Sequence, residues 1–413
     1  MSSTSDRVRV ERLGPAFDLL AGYAPGGCFM ERSGTGVAGL PFPGTLPWLL
    51  DLRGPYGVEE LFADVDLYGL DPDAPPPLVF GSIPFEPDRG GRFLFPARAI
   101  RRDRDGETWM IELLRDGAEV PMTGTTLAGS EPSEPFSGLQ LFPEPEPDAY
   151  EVAVATAVAG IREGALRKVV LARTLRVEAG RRLDPALLLR RLRAVEPDCF
   201  TFAADIGDDR TLVGASPELL VSRFGDEVRA NPLAGSAPRA GDPDEDRANA
   251  RALGSSAKDR QEHAIVVEAV FRVLQPFCTD LRYDVDPTLL ATANVWHLST
   301  RFRGTLRDPA PTALDLVAAL HPTPAVCGDP TDRARALIRQ LEPVPRNHYA
   351  GAVGWMDANG DGVWALALRC AELQGETARL FAGAGIVAES EPAKELDETE
   401  RKFRAFLDSL RWG

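Results

Sequence analysis

Proline and glycine cut the first third of this chain into pieces too short for long helices. Across residues 1–140 the apolar segments end at breakers such as Leu40-Pro41-Phe42-Pro43-Gly44 and Pro75-Pro76-Pro77. Neither residue type sustains a helix interior, so strands joined by turns are expected there. From Ser130 to Asp148 Pro and Glu dominate, which reads as a surface connection or a domain boundary. It divides the chain into a β-rich part, 1–140, contributing to the same sheet core, and a larger part, 141–413.

Beyond that boundary helical and strand patterns mix. Asp148 with Glu151 reads as a capping box, and Tyr150, Val154, Ala157, Val158 and Ile161 follow at helical spacing. Strand patterns are expected over 168–177, 211–213 and one long run, 363–373, paired with 379–382. Helices are expected over 258–277, with Ile265, Val266, Ala269, Val270, Val273 and Leu274 on the apolar face, and over 392–410. There is no internal repeat. This order argues α+β with large sheets rather than strict strand–helix alternation.

Composition narrows the function. The 413 residues suffice for two or three domains or one large unit, and the net charge of −16 lacks the basic footprint that nucleic acid or anionic lipid requires. No apolar run approaches a membrane span, and Met1 to Arg12 lacks an apolar core for export, so a cytoplasmic protein is expected. Five scattered cysteines show no metal-ligand spacing and read as reduced packing residues. Only four lysines occur, Lys168, Lys258, Lys394 and Lys402, against 42 arginines. An amine can give up its proton where a guanidinium does not, so these few positions are candidate proton-handling sites.

Lys168 shares a strand face with Val170 and Ala172, where a partly desolvated amine can serve as general base. Glu218 lies between a Ser-Pro turn and an apolar segment, a setting for a carboxyl that stays protonated and donates. Ala230 to Arg239 reads as a Gly/Ser loop able to present backbone N–H groups to an anion. Glu262 opens one helix and Glu395 and Glu398 the other, and oxygen-only ligands suit Mg²⁺. Taken alone, each charged helix face is more often merely solvated. Arg369, set in an apolar strand, calls for an anionic partner. Three patterns are set aside. Gly383 to Ala388 has the spacing of a dinucleotide loop with no βαβ unit after it; 357–362 mimics a calcium loop but has Leu368 at its last ligand position and reads as a hairpin turn; the four histidines lack paired-ligand spacing.

Together these segments resemble the chorismate-utilising enzymes, of the anthranilate synthase component I type, and most nearly the siderophore-type isochorismate synthases. The matching stretches are Lys168-Val169-Val170-Leu171-Ala172-Arg173, Ser216-Pro217-Glu218-Leu219-Leu220, Pro232-Leu233-Ala234-Gly235-Ser236, Lys258-Asp259-Arg260-Gln261-Glu262-His263, Trp296-His297-Leu298, His321-Pro322-Thr323-Pro324-Ala325, Arg369-Cys370-Ala371, Phe381-Ala382-Gly383-Ala384-Gly385-Ile386, and Glu398-Thr399 with Lys402. They fall in order over about 140–410; before that the likeness rests mainly on Gly81-Ser82-Ile83-Pro84-Phe85.

The resemblance implies large antiparallel β-sheets packed together with helices outside, and a chorismate-binding catalytic domain over 141–413. It implies chorismate as substrate and isochorismate as product, with Mg²⁺ held by Glu262 and Glu398 and Glu395 close by through water. Lys168 is then the base that activates water for attack at ring C2, and Glu218 the acid that protonates the departing C4 hydroxyl. Gly235, Ser236, His297, Ala325, Tyr349, Arg369, Gly383 and Lys402 are the implied substrate contacts. Anthranilate synthases usually carry Gln at the Lys168 position, and aminodeoxychorismate synthases a Lys where Ala234 stands. Salicylate synthases, which also release pyruvate, usually differ over 321–325 and are the alternative reading, with a non-catalytic chorismate-binding protein as the alternative outside enzymes. Lys394 is expected at the surface, Lys258 acquires no role, and a monomer is expected.

Overall fold

Along the strand Phe200–Gly207, the residues Phe200, Phe202, Ala204 and Ile206 enter one apolar cluster while Ala203 enters another. A strand buried on both faces needs cover on both, and the chain supplies a second sheet on one side and helices on the other. The computed structural model describes residues 6–14, 16–41, 48–50, 61–63, 65–66, 74–114, 136 and 138–411. The breakers Phe42-Pro43-Gly44 and the start of the Pro/Glu stretch, 130–135, lie outside the described residues.

Among the described residues the larger sheet has 13 strands and the second has nine. In the larger, Gln140–Glu144 lies at the edge, followed by Lys168–Glu178, Thr377–Ile386, Cys370–Gln374, Arg210–Ser216 and Phe200–Gly207, and then the N-terminal strands from Cys28–Arg32 outward. In the second, Leu78–Ile83 pairs with Ala352–Asp357. Strands from either side of residue 140 thus sit next to each other in both sheets. The described pairings are antiparallel except the short match of Asp6–Leu13 with Val65–Asp66. A three-stranded sheet, Leu233–Pro238, Val295–Ser299 and Thr288–Ala291, completes the β structure.

Among the described residues seven helices cover these sheets: α1 (Pro147–Arg162), α2 (Pro185–Val195), α3 (Pro243–Ser255), α4 (Ala257–Leu274), α5 (Ala313–Leu320), α6 (Thr331–Leu341) and α7 (Pro392–Arg411). Leu188, Leu189 and Leu192 of α2 and Phe403, Phe406 and Leu410 of α7 form a core with the outer face of the larger sheet. At about 1.5–3 kcal/mol for each such side chain removed from water, this face anchors α7 firmly. Helices α3 and α4 lie on the three-stranded sheet.

Four local expectations need correction. Helix α1 starts at Pro147 behind Glu146, which makes no side-chain cap, so the 148/151 capping box is absent; its five expected core residues are all buried. The end of the Pro/Glu stretch is an edge strand, where Pro143 is tolerated because its outer side needs no ladder donor. Residues 233–238 form a strand rather than a loop, with a bulge at Gly235, whose φ of +74° glycine adopts without strain. The run 363–373 is two strands, Gly362–Leu366 in the second sheet and Cys370–Gln374 in the larger, because the chain crosses between sheets at 367–369. The hairpin expected at 357–362 is present, all five cysteines are free and buried, and Lys394 is exposed.

Candidate active site

The chain crosses between the two large sheets twice side by side, and each crossing carries a polar residue that the sequence singled out. The first runs from Ser216 through Pro217 and Glu218 to Leu219; the second runs from Leu366 back to Cys370 through Arg369. They are tied together where Leu366 N–H donates to Glu218 O at 3.1 Å and Ala215 N–H to Arg369 O at 3.2 Å. Glu218 is 3% exposed, and its carboxylate accepts from Leu233 N–H at 3.2 Å. Burial pushes its carboxyl up to about 8, so it holds a proton at neutral pH.

Arg369 sits at φ +48°, a left-handed turn that aims its buried guanidinium between the sheets instead of along a strand. Its Nη2 donates to His297 Nε2 at 2.9 Å, while Nη1 is buried and has no hydrogen-bond partner among the described residues. Because arginine can only donate, Nε2 accepts and the neutral His297 carries its proton on Nδ1; the ring also hydrogen-bonds the backbone of Gly235. Burial, then the charges of Arg369 and Lys402, keep this imidazole neutral.

The other wall is the pairing of Lys168–Glu178 with Thr377–Ile386, which sets Val170 beside Gly385 and Ala172 beside Gly383. Lys168 is fully buried, with Nζ 3.0 Å from Glu262 Oε1, an ion-pair distance without hydrogen-bond alignment. Lys402 Nζ donates to Glu398 Oε1 at 2.5 Å and to Gly383 O at 2.7 Å. Burial raises the Glu398 carboxyl, but Lys402 and the Ser236 hydroxyl outweigh it and hold it below its ordinary value. Lys258 Nζ donates to Glu395 Oε1 at 2.7 Å; burial and the neighbouring Glu398 push that carboxyl up.

Most of these groups surround one cavity of about 70 Å³. Glu218, Gly235, Ser236, Glu262, His297, Ala325, Tyr349, Arg369, Gly383, Glu398 and Lys402 all reach it. Lys168 stands behind Glu262, and Glu395 lies off the wall toward Lys258. Val326 and Leu368, and Phe381 and Gly385 within a matching stretch, are among the lining residues that were not expected as site residues. Phe381 stacks on Tyr349, centroids 5.0 Å apart and planes 10° from parallel, forming an apolar wall; its place inside an apolar strand offered no signal of this.

Residues 97–411 match the family model described as chorismate binding enzyme. The chain belongs to this family. It is 44% identical over 342 residues to the isochorismate synthase DhbC of Bacillus subtilis, covering 81% of each chain. It is also similar to the crystal structure of a putative 2,3-dihydroxybenzoate-specific isochorismate synthase from Bacillus anthracis, at 37% identity and a TM-score of 0.81, covering 95% of this chain and 98% of that one. Anthranilate synthase component I from Streptococcus pneumoniae shares the fold, at 24% identity and a TM-score of 0.70, covering 97% and 92%.

For a chorismate binding enzyme the donor set is informative. Glu262, Glu395 and Glu398 offer only carboxylate oxygens, the chemistry of a hard divalent cation. Among the described residues no three acidic, histidine or cysteine side chains stand close enough together to enclose an ion. Each of these glutamates instead leans on a lysine. The donors suit such a cation.

Proposed function

We propose that this protein is a Mg²⁺-dependent isochorismate synthase that adds water at C2 of chorismate and expels the C4 hydroxyl. The observation that carries this reading is that Glu218, a carboxyl that burial keeps protonated, lines the same cavity as Glu262, behind which the buried Lys168 stands 3.0 Å away. Lys168 takes a proton from the attacking water as its oxygen bonds to C2. Both ring double bonds shift by one position, the C4–O bond breaks, and Glu218 delivers its proton so that the hydroxyl leaves as water. Water is consumed and released, so the product is an isomer.

Arg369 offers its unpartnered Nη1 to a substrate carboxylate, with His297 steadying the other nitrogen. Gly235, Ser236, Ala325, Tyr349, Gly383 and Lys402 complete the substrate contacts. A divalent cation held by Glu262 and Glu398, with Glu395 near it through water, would offset the charge of the ring carboxylate. The similarity to 2,3-dihydroxybenzoate-type relatives supports a role in siderophore synthesis. No helix is long and apolar enough to cross a membrane among the described residues; we infer a cytoplasmic monomer.

The test is a chromatographic assay of purified protein with chorismate and MgCl₂, following isochorismate, salicylate and pyruvate together. Isochorismate alone is expected, and only with the metal. Salicylate with pyruvate would move the assignment to the salicylate synthases. Binding without turnover would leave a chorismate-binding protein.

A further inference from the structure

Three of the four lysines pair one to one with the three glutamates read as metal ligands. Lys168 stands 3.0 Å from Glu262, Lys258 is 2.7 Å from Glu395, and Lys402 is 2.5 Å from Glu398. Two of them have further work: Lys168 is the proposed base, and Lys402 also holds Gly383 O. Lys258 has none. It lies one turn before Glu262 on α4 and reaches across to α7, to a residue 137 positions later in sequence. Its side chain is 31% exposed while that of Glu395 is 3% exposed. The acids whose charges act on it are Glu395, Glu262 and Glu398. It is therefore a cation seated at a carboxylate cluster, with a way out to solvent.

Resting on the reading of these glutamates as the metal site, we propose that Lys258 is a tethered counter-cation that holds Glu395 in the metal-free enzyme and yields its place to the water shell of a divalent cation on loading. A buried carboxylate without a partner is strongly destabilising, so the empty site needs a resident positive charge. An ammonium on a flexible stem can release a carboxylate oxygen to an incoming ion, whereas a guanidinium would clamp it bidentately. In a chain that otherwise uses arginine, lysine here is chemically apt. Lys258 also repels the incoming ion, so it stabilises the empty site at the expense of metal affinity.

The experiment is calorimetric titration of substrate-free protein with MgCl₂, alongside melting temperatures in EDTA and in excess Mg²⁺, for wild type, Lys258→Met and Lys258→Arg. Lys258→Met should melt lower in EDTA, recover with Mg²⁺, and bind Mg²⁺ about tenfold tighter. Lys258→Arg should bind it more weakly. A Lys258→Met protein that binds Mg²⁺ as wild type does, or whose lower melting temperature persists unchanged with the metal, overturns the proposal. If Lys258→Met does not fold, Lys258→Gln carries the same expectations. Wild type showing no Mg²⁺ binding removes the metal reading itself, and this proposal with it.

Discussion

A Cβ on residue 385 would stand 2.0 Å from Glu262 Oε1 and 3.2 Å from Lys168 Cε. Gly385 is thus what makes room for Glu262 on the cavity wall and for Lys168 behind it. The clash is with the end of a flexible side chain, so the backbone can stay while the carboxylate moves. Gly385→Ala should keep a melting temperature near wild type and lose about a hundredfold in turnover, the scale of an ångström-level misplacement. Steady-state kinetics beside a thermal melt would check it; unimpaired turnover would show that the pair needs no such space.

Glu218 ties activity and stability to pH. Its carboxyl is raised from 4.5 to about 8 by burial. The folded protein therefore binds an extra proton between those values, and the stability tied to it is full below about 4.5 and lost as pH rises through about 8. Glu218→Gln cannot ionise, so its melting temperature relative to wild type should climb from pH 5 to pH 9. The same variant lacks the proton donor and should lose about 10²–10⁴ in turnover. Wild-type turnover should fall above pH 8 as the acid is lost. A parallel pair of stability curves would mean that Glu218 ionises normally in the fold.

The residues that were legible in the sequence are those that break a local rule. Lys168 stood out because the chain otherwise uses arginine, Glu218 because a carboxylate followed a Ser-Pro turn, and Arg369 because a charge interrupted an apolar run. Residues that obey their local pattern were invisible: Phe381 looks like any strand phenylalanine until Tyr349 lies against it. The crossing at 367–369 hid for the same reason, since two strands buried on both faces read as one continuous apolar run. Lys258 acquired no role because its partner is 137 residues away, beyond any periodicity.

The Arg369–His297 contact makes a prediction about substrate binding. With Nη2 held at 2.9 Å by a neutral imidazole, Nη1 is presented in a fixed plane. Arg369→Lys keeps the charge but loses the fork, and a charged hydrogen bond is worth about 1.5–3 kcal/mol. The KM for chorismate should rise tenfold or more, with a smaller change in kcat. His297→Ala, which frees the guanidinium to rotate, should shift KM in the same direction by less. An unchanged KM in Arg369→Lys would place the substrate carboxylates elsewhere.

Behind the cavity wall, Arg346 joins three segments that never meet in sequence. It donates to Val326 O at 2.6 Å, to Val170 O at 2.7 Å, and to Glu342 Oε1 at 2.6 Å, while Glu342 Oε1 also accepts from Ala172 N–H at 2.7 Å. Both side chains of this pair are under 10% exposed. Removing one partner strands the other charge in the interior, at about 3–5 kcal/mol. Arg346→Met should therefore lower stability by that scale, in chemical denaturation, and loosen the wall at Val170 and Val326. Replacing both, Arg346→Met with Glu342→Leu, should recover much of the loss, because no charge is then left unpaired. The carbonyls of Val170 and Val326 and the Ala172 N–H would still lack partners, so recovery should stop short of wild type. A double variant as unstable as the sum of the two single ones would mean that the backbone hydrogen bonds, rather than the ion pair, hold this wall.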